Sequence, residues 1–336
     1  MKSKPFALLV FFSMFLAAAV AQAQDPLPSW NDGAAKQAIL NFVHVTTDKS
    51  NSGFVPVEER IATFDQDGTT WVEQPLYTQV VFALDRIGVL APKHPEWKMT
   101  QPFQAVLSGD KAAMAKFTMK DLETIMMVTH TGMSVDDFHT IVKDWIAKAK
   151  NPRWNQPRTA LVYQPMLEVM QYLRANGYKT YIVTGGGQEF VRAYAEQVYG
   201  IPPEQVIGSA LETDYTYDKS GKAVLMKAPK LLLNNDHTGK PEDIYLFVGR
   251  HPKAAFGNST GDQQMLEFAQ AGGGPFLAML VLHDDAKREY AYGPAEGLPN
   301  SKIGTFTEDL YQEAKKKGWV VISMKSDWNH IFSFEK

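Results

Sequence analysis

Two hydrophobic rhythms divide this chain. From Pro75 to about Arg158, apolar residues recur at three- and four-residue intervals, the spacing of one helical face. Candidate helices there cover Leu76 to Arg86, run from a Thr118 cap through Met127, and start at a Ser134–Asp137 capping box. In the last of these, Phe138, Ile141, Val142 and Trp145 share a face. Outside this block, short β-favouring runs alternate with helical stretches. The runs are Ile61–Phe64, Thr180–Val183, Lys253–Phe256, Phe276–Leu282 and Trp319–Met324. The helical stretches are Met166–Ala175 (stopped by Gly177), Gln188–Tyr199, Gln263–Ala271 and Thr307–Lys317. Near the start, Asp32 is placed to cap a helix over Ala34–Val45. This alternation predicts an α/β fold: a three-layer, doubly wound, mainly parallel sheet with helices on both faces. Residues 24–74 and 159–336 would form that core, with 75–158 inserted as an all-helical unit.

Composition narrows the function. The chain has 336 residues, 45% hydrophobic and 21% charged, which is ordinary for a globular protein. A net charge of −3 offers no basic field for nucleic acid. The absence of cysteine excludes a thiol nucleophile, a cysteine zinc site and any disulfide. At the N-terminus, Lys2 and Lys4 precede an apolar run from Phe6 to Val20 and a small-x-small site at Ala21-Gln22-Ala23. That pattern reads as a signal peptide over residues 1–23, cleaved near Ala23. The run is shorter than the ~20 apolar residues of a spanning helix. The expectation is a periplasmic or secreted protein with no stable membrane insertion after cleavage. No internal repeat or low-complexity segment is present.

The chemistry gathers where predicted strands end, which is where ligands bind in such sheets. Asp65 and Asp67 follow the first strand, and Gly68 permits a tight exit. One carboxylate there can attack phosphorus beside a hard cation, and a second two residues on can protonate the leaving oxygen. An acidic turn is the bland reading. A calcium loop fails, because its twelfth position would be Leu76 rather than glutamate. Thr184 precedes Gly185-Gly186-Gly187 and a helix, a weak signal for a phosphate-binding turn. Gly257 to Asp262 closes another strand, with Asn258 and Asp262 as oxygen ligands of the type Mg²⁺ prefers. Alone, this stretch reads as a turn and helix cap, a position that suits Asp262.

In conjunction the three sites resemble the haloacid dehalogenase superfamily, over about Ile61 to Phe268. Its first motif, Asp-x-Asp-x-Thr, is matched by Asp65, Asp67 and Thr69; its second by Thr184; its fourth, an acidic glycine-containing loop, by Gly257–Asp262. The resemblance implies an aspartyl-phosphate on Asp65 with Asp67 as general acid and base. It implies phosphoryl oxygens held by Thr184, Gly185 and a lysine, and Mg²⁺ held by Asp65, Asp67 and Asp262, with Asn258 as a further candidate. Asn258 departs from the Asp found there in many relatives. The lysine is one of Lys227, Lys230 and Lys240, with Lys240 best matching the family order. Asp67 separates phosphatases and phosphomutases from relatives that cleave carbon–halogen bonds. The helical insert resembles a cap that closes over the site and suits small phosphorylated substrates. The branch most similar is phosphoserine-phosphatase-like, although Glu73 matches only loosely the acidic residue that branch uses on the substrate amine.

The expected activity is therefore an exported, Mg-dependent phosphomonoester hydrolase. Alternatives are a phosphotransferase using the same intermediate and a phosphate-ester-binding protein without turnover. Other features read as structural. Arg86, Lys93, His130 and Arg153 read as solvated cap surface, His283-Asp284-Asp285 as a polar loop, and Trp71, Tyr290 and Tyr292 as packing. No histidine pair has zinc spacing and no serine sits in a Gly-x-Ser-x-Gly elbow.

Overall fold

The computed structural model describes residues 25–335. The signal-peptide reading therefore lies outside the described residues. Seven strands form one sheet: β1 (Ile61–Phe64), β2 (Lys179–Gly187), β3 (Val206–Tyr217), β4 (Ala223–Leu233), β5 (Ala254–Gly257), β6 (Leu277–Leu282) and β7 (Val320–Ser323). Their order is β4-β3-β2-β1-β5-β6-β7. Every pairing is parallel except β3 with β4, which is antiparallel. β1 is central, with Phe64 opposite Ile182 on one side and Phe256 on the other.

Side chains alternate across the sheet, and both sets are buried because helices cover both faces. Ala62, Phe64, Ile182, Phe256, Met279 and Val281 point into one core, shared with the Ala34–Thr47 and Gln164–Ala175 helices. Phe64 and Phe256 stack there with centroids 4.4 Å apart. Val183, Ile207, Ala255, Leu280 and Leu282 enter the opposite core with Ile244, Leu266 and Leu310. This accounts for β6 being apolar without a break and for every residue of β1, Thr63 included, being buried.

The block between the first two motifs is helical, as its periodicity predicts. Its longest helices are Thr78–Leu90, Met119–His130 and Val135–Ile146. Thr118 closes a full capping box with Asp121, and Ser134 accepts from the Asp137 N–H. Ala83, Ile87, Trp97, Phe103 and Ile125 make a separate small core inside this block.

Three expectations need correcting. Asp32 caps nothing: Gly33 occupies the N-cap position without a side-chain bond, and Asp32 pairs with Lys36 at 3.1 Å. The segment Gln188–Tyr199 is two short helices, Gln188–Arg192 and Ala195–Tyr199, rather than one. The third concerns a long hairpin, β3–β4, absent from the sequence-based expectation. It projects from the sheet and pairs with the helical block, where the Gly132 N–H donates to the Lys227 carbonyl and the Lys227 N–H to that of Met133.

Candidate active site at the carboxyl ends of the central strands

Residues from four strand ends converge beyond β1. Asp65 follows β1 directly, and its N–H donates to the Phe256 carbonyl of β5, which locks the end of the motif to the sheet. Gly68 turns the chain with φ +81°. A Cβ there would collide with the Asn258 amide and the Glu73 carboxyl, so glycine is required on two counts. The Thr69 hydroxyl lies 3.1 Å from Asp65 Oδ2 and 3.1 Å from Asn258 Oδ1. A hydroxyl carries one proton, so it can donate to only one of them.

Lys240 is the second residue of the Gly239–Val248 helix and is 2% exposed. Its Nζ donates to Asp65 Oδ1 at 2.6 Å and to the Val183 carbonyl at 2.8 Å. It also sits 2.7 Å from Asp262 Oδ1. That contact is an ion pair, and Asp262 Oδ1 has no further partner. The other oxygen, Asp262 Oδ2, accepts from the N–H groups of Asn258 and Ser259. The loop after β5 is thus wound around the Asp262 carboxylate. Asn258 in turn donates its amide to Glu73 Oε1 at 2.9 Å.

Electrostatically the site holds too much negative charge. Burial pushes the Asp65 carboxyl up to about 8; Asp262 adds to the rise, and the Lys240 ammonium only partly offsets it. Burial also opposes the charge on Lys240, but Asp262 and Asp65 outweigh it and hold that ammonium above its ordinary range. Asp67 is half-buried, yet its carboxyl is enclosed. Burial pushes it up to about 6, against a 2.7 Å bond that Trp71 Nε1 donates to its Oδ1.

Thr184 ends the regular part of β2. Its Oγ1 accepts from the Gly186 N–H at 3.0 Å, and the Gly187 N–H donates to Gln79 Oε1 at 2.7 Å. These bonds draw the glycines out of register with β3 between Thr184 and Gly187. The glycines form an irregular strand end that runs directly into the Gln188–Arg192 helix, with Gly187 as its N-cap. A Cβ on Gly186 would lie 3.2 Å from Thr184 Oγ1 and 3.8 Å from Asp67 Oδ2. Both oxygens thus border the space that this glycine leaves free. Gly185 lines a cavity beside them, together with Gly186 and Gly187.

The structure separates the three candidate lysines. Lys240 stands on Asp65, Lys227 lines that cavity, and Lys230 is exposed in a 2.6 Å pair with Glu212. It also recruits residues that sequence reading took as bland. His283 is buried, 2.8 Å from the Gly68 carbonyl through Nε2 and 3.1 Å from Glu289 through Nδ1. Tyr292 donates to Glu73 Oε1 at 2.8 Å. Glu73 is thereby turned onto Asn258 and Tyr292. His130 is buried rather than solvated, whereas Arg153 bonds the Ala286 and Lys287 carbonyls outside the site. Indole and phenol groups bury readily and then seek a polar partner, which was the available signal for Trp71 and Tyr292.

No cluster of three or more His, Asp or Glu with metal-binding geometry forms among the described residues. The oxygens available for a cation are instead a mixed set, from Asp65, Asp262, the Asn258 amide and the main chain. That set suits a hard ion such as Mg²⁺. The charge excess and the Thr69 hydroxyl shared between two acceptors both fit a divalent ion beside Asp65.

Comparison with known proteins gives the family. The family model for haloacid dehalogenase-like hydrolase matches residues 62–267, and the chain belongs to that family. It is therefore a haloacid dehalogenase-type hydrolase built on an α/β core with a helical insertion. No curated protein is matched. Among solved structures, a conserved functionally unknown protein from Anaerococcus prevotii aligns with a TM-score of 0.55 at 15% identity, covering 86% of this chain and 91% of its own. A protein of unknown function from Bordetella pertussis aligns with a TM-score of 0.45 at 16% identity, covering 79% and 98%. A phosphoserine phosphatase from T. onnurineus aligns with a TM-score of 0.35 at 14% identity, covering 81% and 94%. No helix among the described residues is long and apolar enough to cross a membrane.

Proposed function

We propose that this hydrolase is a Mg²⁺-dependent phosphomonoester phosphatase acting through an aspartyl-phosphate on Asp65. The observation that carries the reading is the buried Asp65–Lys240–Asp262 cluster, with a second carboxyl, Asp67, on the same strand end. Asp65, Asp262, Asn258 Oδ1 and the Asp67 carbonyl would hold the ion. It would supply positive charge that keeps Asp65 ionised and draws electron density from the phosphoryl oxygens.

In the first step an Asp65 oxygen attacks phosphorus and the bond to the alcohol oxygen breaks. Asp67 Oδ2, the oxygen not held by Trp71, gives a proton to that departing oxygen. In the second step Asp67 takes a proton from water as the water oxygen attacks phosphorus, freeing phosphate and restoring Asp65. Burial has already lifted Asp67 toward neutrality, which suits a group that must both give and take a proton. Lys240 neutralises charge on Asp65 and the incoming phosphoryl group, while Thr184 and the Gly185 N–H hold its oxygens. Residues 75–158, with the β3–β4 hairpin packed on them, would act as a cap that excludes water. Export to the periplasm belongs to the same proposal, resting on the leader pattern in residues 1–23.

A panel of phosphomonoesters assayed with and without Mg²⁺ tests the proposal directly. Asp65→Asn should abolish turnover while circular dichroism stays that of the wild type. Substantial residual turnover in that variant would remove Asp65 as nucleophile. Added acceptor alcohols that yield a new phosphate ester would favour transfer over hydrolysis. Tight phosphate-ester binding without turnover by the wild type would favour a binding protein.

A further inference from the structure

A cavity of about 190 Å³ lies between the glycines after Thr184, the helical block and the β3–β4 hairpin. Its walls include Met126, Met127, Phe138 and Leu231, and its floor is Gly185–Gly187. At about 30 Å³ for a water's share of liquid, that space suits roughly six non-hydrogen atoms. This is the position a leaving alcohol would take if its phosphate sat by Thr184.

Lys227 is the one cation lining the cavity, and it is 5% exposed. Among the described residues its ammonium has no hydrogen bond and no ion pair, and it stands over the Phe138 ring, 4.5 Å from the centroid. Burial lowers its pKa, and only a weak attraction to Glu189 works against this. Glu189 is committed elsewhere, to His139 at 2.6 Å and Arg192 at 2.8 Å. His130 is neutral here, because burial and the nearby Lys227 push it down to about 3. It is held by Gln79 at 3.1 Å and by Thr129 at 2.8 Å. The side chain is buried, but its ammonium borders the cavity with no protein carboxylate paired to it, so a ligand carboxylate would complete the ion pair there. The backbone bonds from Lys227 to Gly132 and Met133 fix its place whether or not a ligand is present.

We propose that Lys227 selects the substrate: a short phosphomonoester whose alcohol part carries a carboxylate, which pairs with this ammonium while the carbon chain lies on Met126, Met127 and Phe138. The inference rests on the phosphatase reading above for the position of the phosphate. No carboxylate in the cavity is free to receive an ammonium, so a substrate amine is not required.

Two matched pairs of probes test it. For turnover, 2-phosphoglycolate is compared with ethyl phosphate. The wild type should favour the carboxylated ester by about 10- to 100-fold in kcat/KM, the worth of one charge-assisted bond. Lys227→Met should bring that ratio close to one, and Lys227→Arg should restore part of it. A wild-type ratio near one, or a ratio that survives Lys227→Met, overturns the proposal. The wild-type comparison decides even if a variant fails to fold. For binding, 3-phosphonopropionate is compared with propylphosphonate by calorimetry, which needs no turnover. If no ester is hydrolysed, the phosphatase reading fails and the phosphonate pair alone decides on Lys227. Tighter binding of the carboxylated member by the wild type, lost in Lys227→Met, supports its role, and equal binding overturns it.

Discussion

Replacing Lys240 with methionine keeps the side-chain length and removes one buried charge. In the wild type that ammonium is 2% exposed and lies between Asp65 at 2.6 Å and Asp262 at 2.7 Å. Its loss leaves two carboxylates facing each other with no counter-charge. Breaking a buried ion pair by removing one partner costs about 3–5 kcal/mol, and no cavity cost is added because methionine fills the space. The penalty should grow with pH. Asp65 already stands at about 8, above its unfolded value near 3.8, and Lys240 is the only neighbour lowering it. Without that ammonium the folded value rises further. A carboxyl raised in the folded state destabilises the fold as pH climbs from the unfolded toward the folded value, by up to about 1.4 kcal/mol per unit. Wild type stops losing stability near pH 8, and the variant continues beyond it. Urea unfolding of metal-free protein at pH 7 and pH 9 measures both effects. The double variant Asp65→Asn/Lys240→Met should recover a large part of the loss, because it removes one of the two stranded carboxylates. If Lys240→Met unfolds within about 1 kcal/mol of the wild type at both pH values, the buried charge cluster does not have the energetics argued for it.

Three further outcomes are expected. Trp71→Phe deletes the bond to Asp67 Oδ1 while keeping a ring against Tyr194, so the limb of the pH–rate profile governed by Asp67 should move to higher pH; an unmoved limb would separate Trp71 from Asp67. His130 stands at about 3 when folded against 6.5 unfolded, so it contributes stability above pH 6.5 that is lost as pH falls. The wild type should lose up to about 3 kcal/mol through this group between pH 6.5 and 4, and His130→Gln should flatten that slope in urea titrations. Gly68→Ala should cost about 1–3 kcal/mol from its positive φ alone and should also displace Asn258 and Glu73. Its melting temperature and its turnover should therefore fall together.

The core was readable from sequence because its determinants are local. Leu277–Leu282 is a continuous apolar run and Ile61–Phe64 is interrupted only by the β-favouring Thr63, and being buried on both faces follows from such runs. The insert was readable from its 3.6-residue period and from the Thr118 and Ser134 caps. The β3–β4 hairpin was not readable. Tyr215, Tyr217, Leu225, Leu231 and Leu232 face outward on it, so it lacks the clean apolar and polar alternation that marks a half-buried strand. The grip of Gln79 on the glycine segment was equally invisible, since the two lie 108 residues apart.

The same division runs through the site. The sequence by itself determined that Asp65 and Asp67 would leave one strand end together, that Gly68 would turn the chain, and that Thr184 and the loop carrying Asp262 would lie at the ends of two other strands of the same sheet. Those are consequences of spacing along the chain and of strands aligned in parallel. Only the tertiary structure decided which of three lysines stands on Asp65, that Asn258 is held by Glu73, and that Trp71 and His283 support the motif. A side chain's role there depends on which charge or lone pair lies within about 3 Å of it. Spacing along the chain does not set that distance between residues more than a hundred positions apart. Packing does: it put Lys240 against two carboxylates and left Lys227 with none.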